Sequence, residues 1–295
     1  MRIFVTGASG WIGSAVTAEL LANGHQVLGL ARSDDSAAKV AALGAEVHRG
    51  SLDDLESLRA GAAASEGVVH MGYNHDFSAM DDAAKTDLGA IEAMADVLDG
   101  TGHPLVIASG TLGLAAGRVG TEQDRPDPGM HPRVSNASYA EALKDRGIRS
   151  IVSRFAPTVH GPGDHGFIAV LVGIAREKGV SAYIDEGANC WSAVHRLDVG
   201  TLLALAVDKA PAGSIIHGVG EEGVPTKDIA EAIGRGLGLE VVSVPAAQAM
   251  VHFSWLGRFF GADARASNHL TRELLGWEPT RQGLIADLDA GSYYR

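Results

Sequence analysis

Hydrophobic and polar positions follow two alternating periods through residues 1–160. Short apolar runs recur at Ile3–Thr6, Gln26–Ala31, Glu46–Arg49, Gly67–Met71, Leu105–Ala108 and Ser150–Arg154, and each predicts a strand. Ala- and Leu-rich segments at 11–23, 35–43, 52–62, 79–99 and 133–146 separate them and predict helices. Gly24 stands where the first helix should stop, since glycine takes the left-handed conformation that ends a helix. Strand–helix alternation of this kind predicts an α/β fold, a doubly wound parallel sheet with helices on both faces. After Arg154 the pattern changes. Residues 161–194 hold several glycines and scattered helix signals, Ser214–His217 predicts a short strand, and 226–237 and 246–260 predict helices, the second very apolar. Residues 1–160 therefore read as one domain, and 161–295 as a smaller C-terminal lobe with strands returning to the sheet.

The first predicted strand runs into Thr6-Gly7-Ala8-Ser9-Gly10-Trp11-Ile12-Gly13 and then into a helix. Gly7 permits a tight turn, Gly10 leaves the backbone open to a pyrophosphate, and Gly13 lets helix and strand approach. Unpaired N–H groups and the positive end of the helix face the anion. This is the arrangement of a Rossmann dinucleotide-binding unit, with Gly7, Ser9, Gly10, Trp11, Ile12 and Gly13 as candidate coenzyme contacts.

Composition narrows the partners. The chain has 295 residues and a net charge of −12, with 24 basic against 36 acidic residues and no basic cluster. Nucleic acid is not an expected partner, and a negative surface repels anionic lipid. No apolar run reaches the ~18 residues of a membrane-spanning helix. The single cysteine, Cys190, excludes an internal disulfide and points to a reducing compartment. Without a leader ahead of the first strand, the expected location is cytoplasmic.

The motifs Thr6–Gly13, Gly50-Ser-Leu-Asp-Asp54, Val68-Val-His-Met-Gly72, Ile107-Ala-Ser-Gly-Thr111, Arg154-Phe-Ala-Pro-Thr-Val-His-Gly161, His195-Arg-Leu-Asp198 and Leu275-Gly-Trp-Glu-Pro279 occur in the order seen in one family. The chain resembles the extended or atypical short-chain dehydrogenase/reductases, close to the NAD-dependent epimerase/dehydratase group. The resemblance implies that Ser51 and Leu52 lie beside the adenine, Met71, Gly72 and Tyr73 near the ribose and phosphates, and Pro157, Thr158 and Val159 at the nicotinamide amide. In this fold the second strand ends at the adenosine ribose, where an acid selects NAD and a basic residue pairs with a 2′-phosphate. Here the strand ends Leu30-Ala31-Arg32-Ser33. Arg32 and Ser33 favour NADP(H); Asp34 and Asp35, one or two residues on, leave NAD(H) open. Family members often dimerise through two helices, here 79–99 and 133–146, which implies a homodimer.

Carbonyl reduction needs a hydride and a positioned proton donor. The resemblance implies a Tyr-x-x-x-Lys pair on the fifth helix. Counting back from Arg154 places its members near Pro132 or Arg133 and near Asn136 or Ala137, so the pair is absent. Asn136 retains the capacity to hydrogen-bond a ribose hydroxyl. Tyr139 and Lys144 are five positions apart and point roughly 140° away from each other on a helix. Thr111 and Ser109 follow the fifth strand, where a hydroxyl can donate to a carbonyl oxygen. His75 and Tyr139 are the candidate proton donors. His160, His165 and His195 lie in loops expected at the same cleft; the i, i+5 spacing of His160 and His165 is too unspecific for a metal site, and none is expected. The reading is an NADP(H)-dependent oxidoreductase acting on a small carbonyl or alcohol substrate, with Tyr183, Trp191 and the 246–260 segment lining its pocket. A non-catalytic NADP-binding sensor and a sugar-nucleotide-type epimerase or dehydratase remain as alternatives.

Overall fold

A computed structural model describes residues 1–74, 80–127, 129 and 132–295. Its strands are β1 (Arg2–Thr6), β2 (Gln26–Ala31), β3 (Glu46–Arg49), β4 (Gly67–His70), β5 (Pro104–Gly110), β6 (Arg149–Phe155), β7 (Thr158–His160), β8 (Val180–Ile184), β9 (Cys190–His195), β10 (Ser214–Gly218), β11 (Glu221–Pro225) and β12 (Glu240–Val244). The helices are α1 (Trp11–Ala22), α2 (Asp34–Ala42), α3 (Leu55–Ala63), α4 (Met80–Leu98), α5 (Pro132–Ala142), α6 (Phe167–Lys178), α7 (Arg196–Lys209), α8 (Thr226–Leu237), α9 (Ala249–Phe253), α10 (Gly257–Phe260), α11 (His269–Leu275) and α12 (Leu284–Asp289).

Seven parallel strands pair in the order β3-β2-β1-β4-β5-β6-β10. Alternation along each strand assigns its side chains to two faces. Ile3, Val5, Val27, Val69, Val106 and Ile151 pack with Val16 and Leu20 of α1, Val40 of α2 and Leu202 of α7. Phe4, Leu28, Val68, Leu105, Ile107 and Val152 pack with Leu58 of α3, Ile91 and Met94 of α4 and Ala140 of α5. Both faces are covered, so the strands read as near-continuous apolar runs, which is why the first six were visible in the sequence. The doubly wound α/β expectation holds, and no helix among the described residues is long and apolar enough to cross a membrane.

The second half is more finely divided than its pattern suggested. Among the described residues, β10 is the strand from this half that joins the central sheet. β7, β9 and β11 form a three-stranded sheet, and β8 pairs with β12. They share a third core with α6, α8 and α12, built on Trp191, Ile229, Ile233, Phe253, Phe260 and Leu288. The helix expected over 246–260 is broken. Ser254 adopts φ +53°, and a Cβ at Gly257 would lie 2.5 Å from the Ala249 carbonyl oxygen, so the chain turns back on itself between α9 and α10. Phe253, Leu256 and Phe260 from this segment are buried in the lobe core.

His217 on β10 is fully buried, with Nδ1 2.7 Å from the Ser267 carbonyl and Nε2 lacking a hydrogen-bond partner among the described residues. Burial pushes its pKa down to about 4, against the opposing pull of Glu122. The unfolded chain therefore takes up this proton first. The contribution of His217 to native stability is fully present above about pH 6.5 and is lost as the pH drops from about 6.5 toward 4. Thermal melts across this window should show a shallower decline for His217→Gln than for the wild type.

Candidate active site

The turn between β1 and α1 is held by close backbone contact. Gly7 has φ +65°, and a Cβ on it would lie 2.8 Å from the Gly72 nitrogen. A Cβ on Gly13 would lie 2.0 Å from the Gly7 carbonyl oxygen. The Gly10 N–H closes the turn on that same oxygen at 2.8 Å. Ser14 N–H is the first to bond within α1, to Gly10 O at 2.9 Å, which leaves the earlier amides of the helix start for a ligand. Ser9, Trp11 and Ile12 are half-buried around this opening, and Gly10 is exposed. The backbone thus has the shape a dinucleotide diphosphate requires, and a side chain on Gly13 would destroy it.

Trp11 joins the cradle to β7. Its Nε1 donates to the Val159 carbonyl at 2.7 Å, its ring lies under the Arg196 guanidinium at 4.3 Å, and His165 meets it edge-on at 5.7 Å. Pro157 and Val159 are half-buried, whereas the Thr158 hydroxyl is buried and donates to Ser192 O at 2.6 Å. Met71 N–H donates to Thr6 O, and Leu52 packs against Gly72. Ser51 accepts the Asp54 N–H through its carbonyl.

At the end of β2, Arg32 and Ser33 are exposed. Ser33 caps α2 in a reciprocal pair with Ser36. Arg49 donates to Ser33 O at 2.8 Å and pairs with Asp34, while Asp35 pairs with Lys39 at 2.8 Å. Arg32 forms no ion pair among the described residues.

A buried polar chain runs from the cradle to α5. Gly72 N–H donates to Thr6 Oγ1 at 3.0 Å, and Thr6 Oγ1 meets His70 Nδ1 at 2.7 Å. His70 Nε2 lies 3.2 Å from Asp87 Oδ1, and Asn136 Nδ2 donates to Asp87 Oδ2 at 2.7 Å and to Ala84 O at 2.9 Å. Thr6, His70, Asp87 and Asn136 are all buried. Burial works to raise the Asp87 carboxyl, but the His70 hydrogen bond and charge, the Asn136 amide and Arg133 outweigh it and hold it below its ordinary value. One turn before Asn136, Arg133 lies over the Tyr73 ring at 4.0 Å.

The candidate catalytic residues are not gathered in one place. Thr111 is buried; its Oγ1 reaches Phe155 O and Ser192 Oγ, each at 3.3 Å. Ser109 lines a cavity beneath α5 with Ser138, Glu141 and Arg154. The Tyr139 ring packs into the core beside α4. His75 lies outside the described residues. Asn136 spends its amide on α4, so it faces the helix–helix contact. His160 Nδ1 binds Asp287 at 3.0 Å, and His195 accepts the Leu197 N–H at the start of α7. Sequence reasoning missed Arg49, Asp87, Ser192 and the Tyr73–Arg133 stack, whose partners lie 15 to 81 positions away and share no local pattern.

Parallel strands, a glycine cradle at their carboxyl edge and a lobe beyond it define an α/β fold of the Rossmann type. The chain belongs to the NAD dependent epimerase/dehydratase family, whose sequence model matches residues 3–217, and is an extended short-chain-dehydrogenase-type NAD(P)-dependent enzyme. It is 45% identical to an uncharacterized protein of Schizosaccharomyces pombe, over 100% of both chains. It is 30% identical to the 4-hydroxy-2-methyl-3-oxo-4-farnesyl-3,4-dihydroquinoline-1-oxide ketoreductase of Stigmatella aurantiaca, over 95% of this chain and 88% of that one. Its fold matches that of the dTDP-glucose 4,6-dehydratase DesIV of Streptomyces venezuelae, crystallised with NAD and TYD. The TM-score is 0.79 at 20% identity, over 100% of this chain and 97% of that one.

Two substitutions probe this architecture. Gly13→Ala should abolish nicotinamide-coenzyme binding in a fluorescence titration while the far-ultraviolet circular dichroism persists. Asp87→Ala strands the buried His70 and Asn136 groups and should cost about 3–5 kcal/mol in chemical denaturation.

Proposed function

We propose that the protein is an NADP(H)-dependent reductase of small carbonyl compounds. The observation that carries this reading is the arrangement along the carboxyl edge of the sheet. The diphosphate cradle after β1 and the hydroxyl of Thr111 after β5 are separated by β4 alone, with Met71 and Gly72 packed against the cradle. Gly7, Ser9, Gly10, Trp11, Ile12 and Gly13 hold the diphosphate, Leu52 and Ser51 flank the adenine, and Pro157 and Val159 meet the nicotinamide end. The bound coenzyme supplies the hydride.

NADP(H) is favoured over NAD(H) by charge. Both acids that could accept ribose hydroxyls are already engaged, Asp34 by Arg49 and Asp35 by Lys39. Arg32 is exposed beside them, and a 2′-phosphate adds the charge that a guanidinium selects.

Substrate enters from the lobe. Thr111 meets Ser192, whose neighbour Trp191 begins an aromatic series through Phe167, Trp255 and Phe259, with centroids 5.6, 5.8 and 6.4 Å apart. This wall suits an apolar body attached to the carbonyl. The Stigmatella ketoreductase acts on a ketone, which agrees with reduction as the chemistry. The reading carries residues 161–295 as the substrate lobe, α4 and α5 as the surface for a second copy, and, from the lone Cys190, a cytoplasmic setting.

NADPH consumption against a panel of aliphatic and aromatic aldehydes and ketones tests the function, and coenzyme binding without turnover of any of them overturns it. Arg32→Ala should weaken NADPH about 10- to 100-fold, the loss expected for a charge-assisted phosphate contact, and leave NADH nearly unchanged. Equal weakening of both coenzymes removes the 2′-phosphate role. Thr111→Ala should lower kcat about 100-fold, with Thr111→Ser retaining most of it.

A further inference from the structure

Reduction of a carbonyl leaves an alkoxide that needs a proton, and the hydroxyl of Thr111 is too weak an acid to be its net source. The five tyrosines occupy distinct surroundings. Tyr139 packs beside α4, Tyr183 lies on β8 near Lys227, and Tyr293 and Tyr294 belong to the C-terminal turn. Tyr73 stands on the loop after β4, at the carboxyl edge of the sheet. We propose that Tyr73 donates the proton to the substrate oxygen and that Arg133, stacked on its ring, stabilises the phenolate left behind. This rests on the reductase reading of the same site.

Three observations support the assignment. The first is place. Gly72 abuts Gly7 and donates its N–H to Thr6 Oγ1, so Tyr73 leaves the backbone one residue from the cradle, between the strand ends that carry the cradle and Thr111. The second is charge. A guanidinium 4.0 Å above the ring gains attraction as negative charge spreads into it, so it favours the phenolate over the phenol and acts most as the proton leaves. Burial, the largest influence, raises the Tyr73 pKa; Arg133 opposes it and Asp87 adds to it, so the phenol is protonated at neutral pH. The third is rigidity. Tyr73 follows Gly72, and Arg133 precedes Asn136 by one turn of α5. Gly72 and Asn136 are the two ends of the Thr6–His70–Asp87 chain, so one buried network braces both halves of the couple. His70, Asp87 and Asn136 are positioning residues in this scheme.

The step balances. Bound coenzyme would supply hydride, an electron pair, to the carbonyl carbon, and the C=O π pair would become a lone pair on oxygen. That oxygen forms a bond to the Tyr73 proton as the phenol O–H breaks, and water returns a proton to the phenolate after product leaves.

The test uses full-length protein labelled with 13C at tyrosine Cζ, the Tyr73 signal being assigned by its loss in Tyr73→Phe. With NADP+ bound, Arg133→Gln should move the Tyr73 titration upward by about one pH unit or more, as loss of a cation at this distance requires. No movement overturns the couple, and this readout needs no substrate. With NADPH and a ketone turned over by the wild type, Tyr73→Phe should lower kcat at least about 100-fold, the usual contribution of a positioned acid, with the coenzyme Kd unchanged. Undiminished turnover by Tyr73→Phe overturns the donor and leaves the reductase reading intact. Failure of the wild type to bind either coenzyme overturns that reading itself.

Discussion

The peptide of Gly7 is clamped between two neighbours, and the coenzyme end of the molecule depends on that clamp. On one side Gly13 sits against its carbonyl; on the other, residues 71 and 72 press on its Cα. No side chain fits at either contact. The consequence is a turn tight enough to aim the start of α1 across the sheet edge and to bring the loop after β4 into the same opening. A phosphate-binding surface made of main-chain amides cannot tolerate a displacement of even one methyl group, because the amides have no rotamers with which to recover.

A polar chain supports that clamp from below. Thr6, His70, Asp87 and Asn136 come from β1, β4, α4 and α5 and are almost sealed from solvent. Each contact fixes the next: Thr6 Oγ1 takes the Gly72 N–H and meets His70 Nδ1, and His70 Nε2 meets Asp87. Such a chain is costly when broken and rigid when complete. It ties α5 to the cradle, so the first turn of that helix, with Arg133, is set relative to the coenzyme opening.

The two ends of the opening differ in character. The end at β2 is electrostatic and exposed, with Arg32 and Arg49 beside a capped helix start. The opposite end is apolar and enclosed by the lobe, where Trp191 is fully buried and Phe167, Trp255 and Phe259 are partly so. A charged, rigid coenzyme at one end and, in the proposed reading, an apolar substrate at the other would make those opposite demands. The lobe meets its demand with short elements from distant parts of the chain.

The central sheet was legible because parallel strands covered on both faces must be apolar throughout, and the glycines at 7, 10 and 13 carry their backbone meaning in the residue type itself. The order of motifs likewise gave the family. The lobe was not legible in the same way: β7 spans three residues, and the apolar segment at 246–260 breaks where Ser254 takes a positive φ that its residue type does not announce. Nor could the chain alone reveal that Asp34 pairs with Arg49, that Asn136 turns to Asp87, or that Arg133 lies on Tyr73. Local pattern records which face a residue must bury, a property of neighbours in sequence. Pairing of polar groups across elements depends on the distances that folding creates, and only the packed sheet, with α4 and α5 laid over it, decides those.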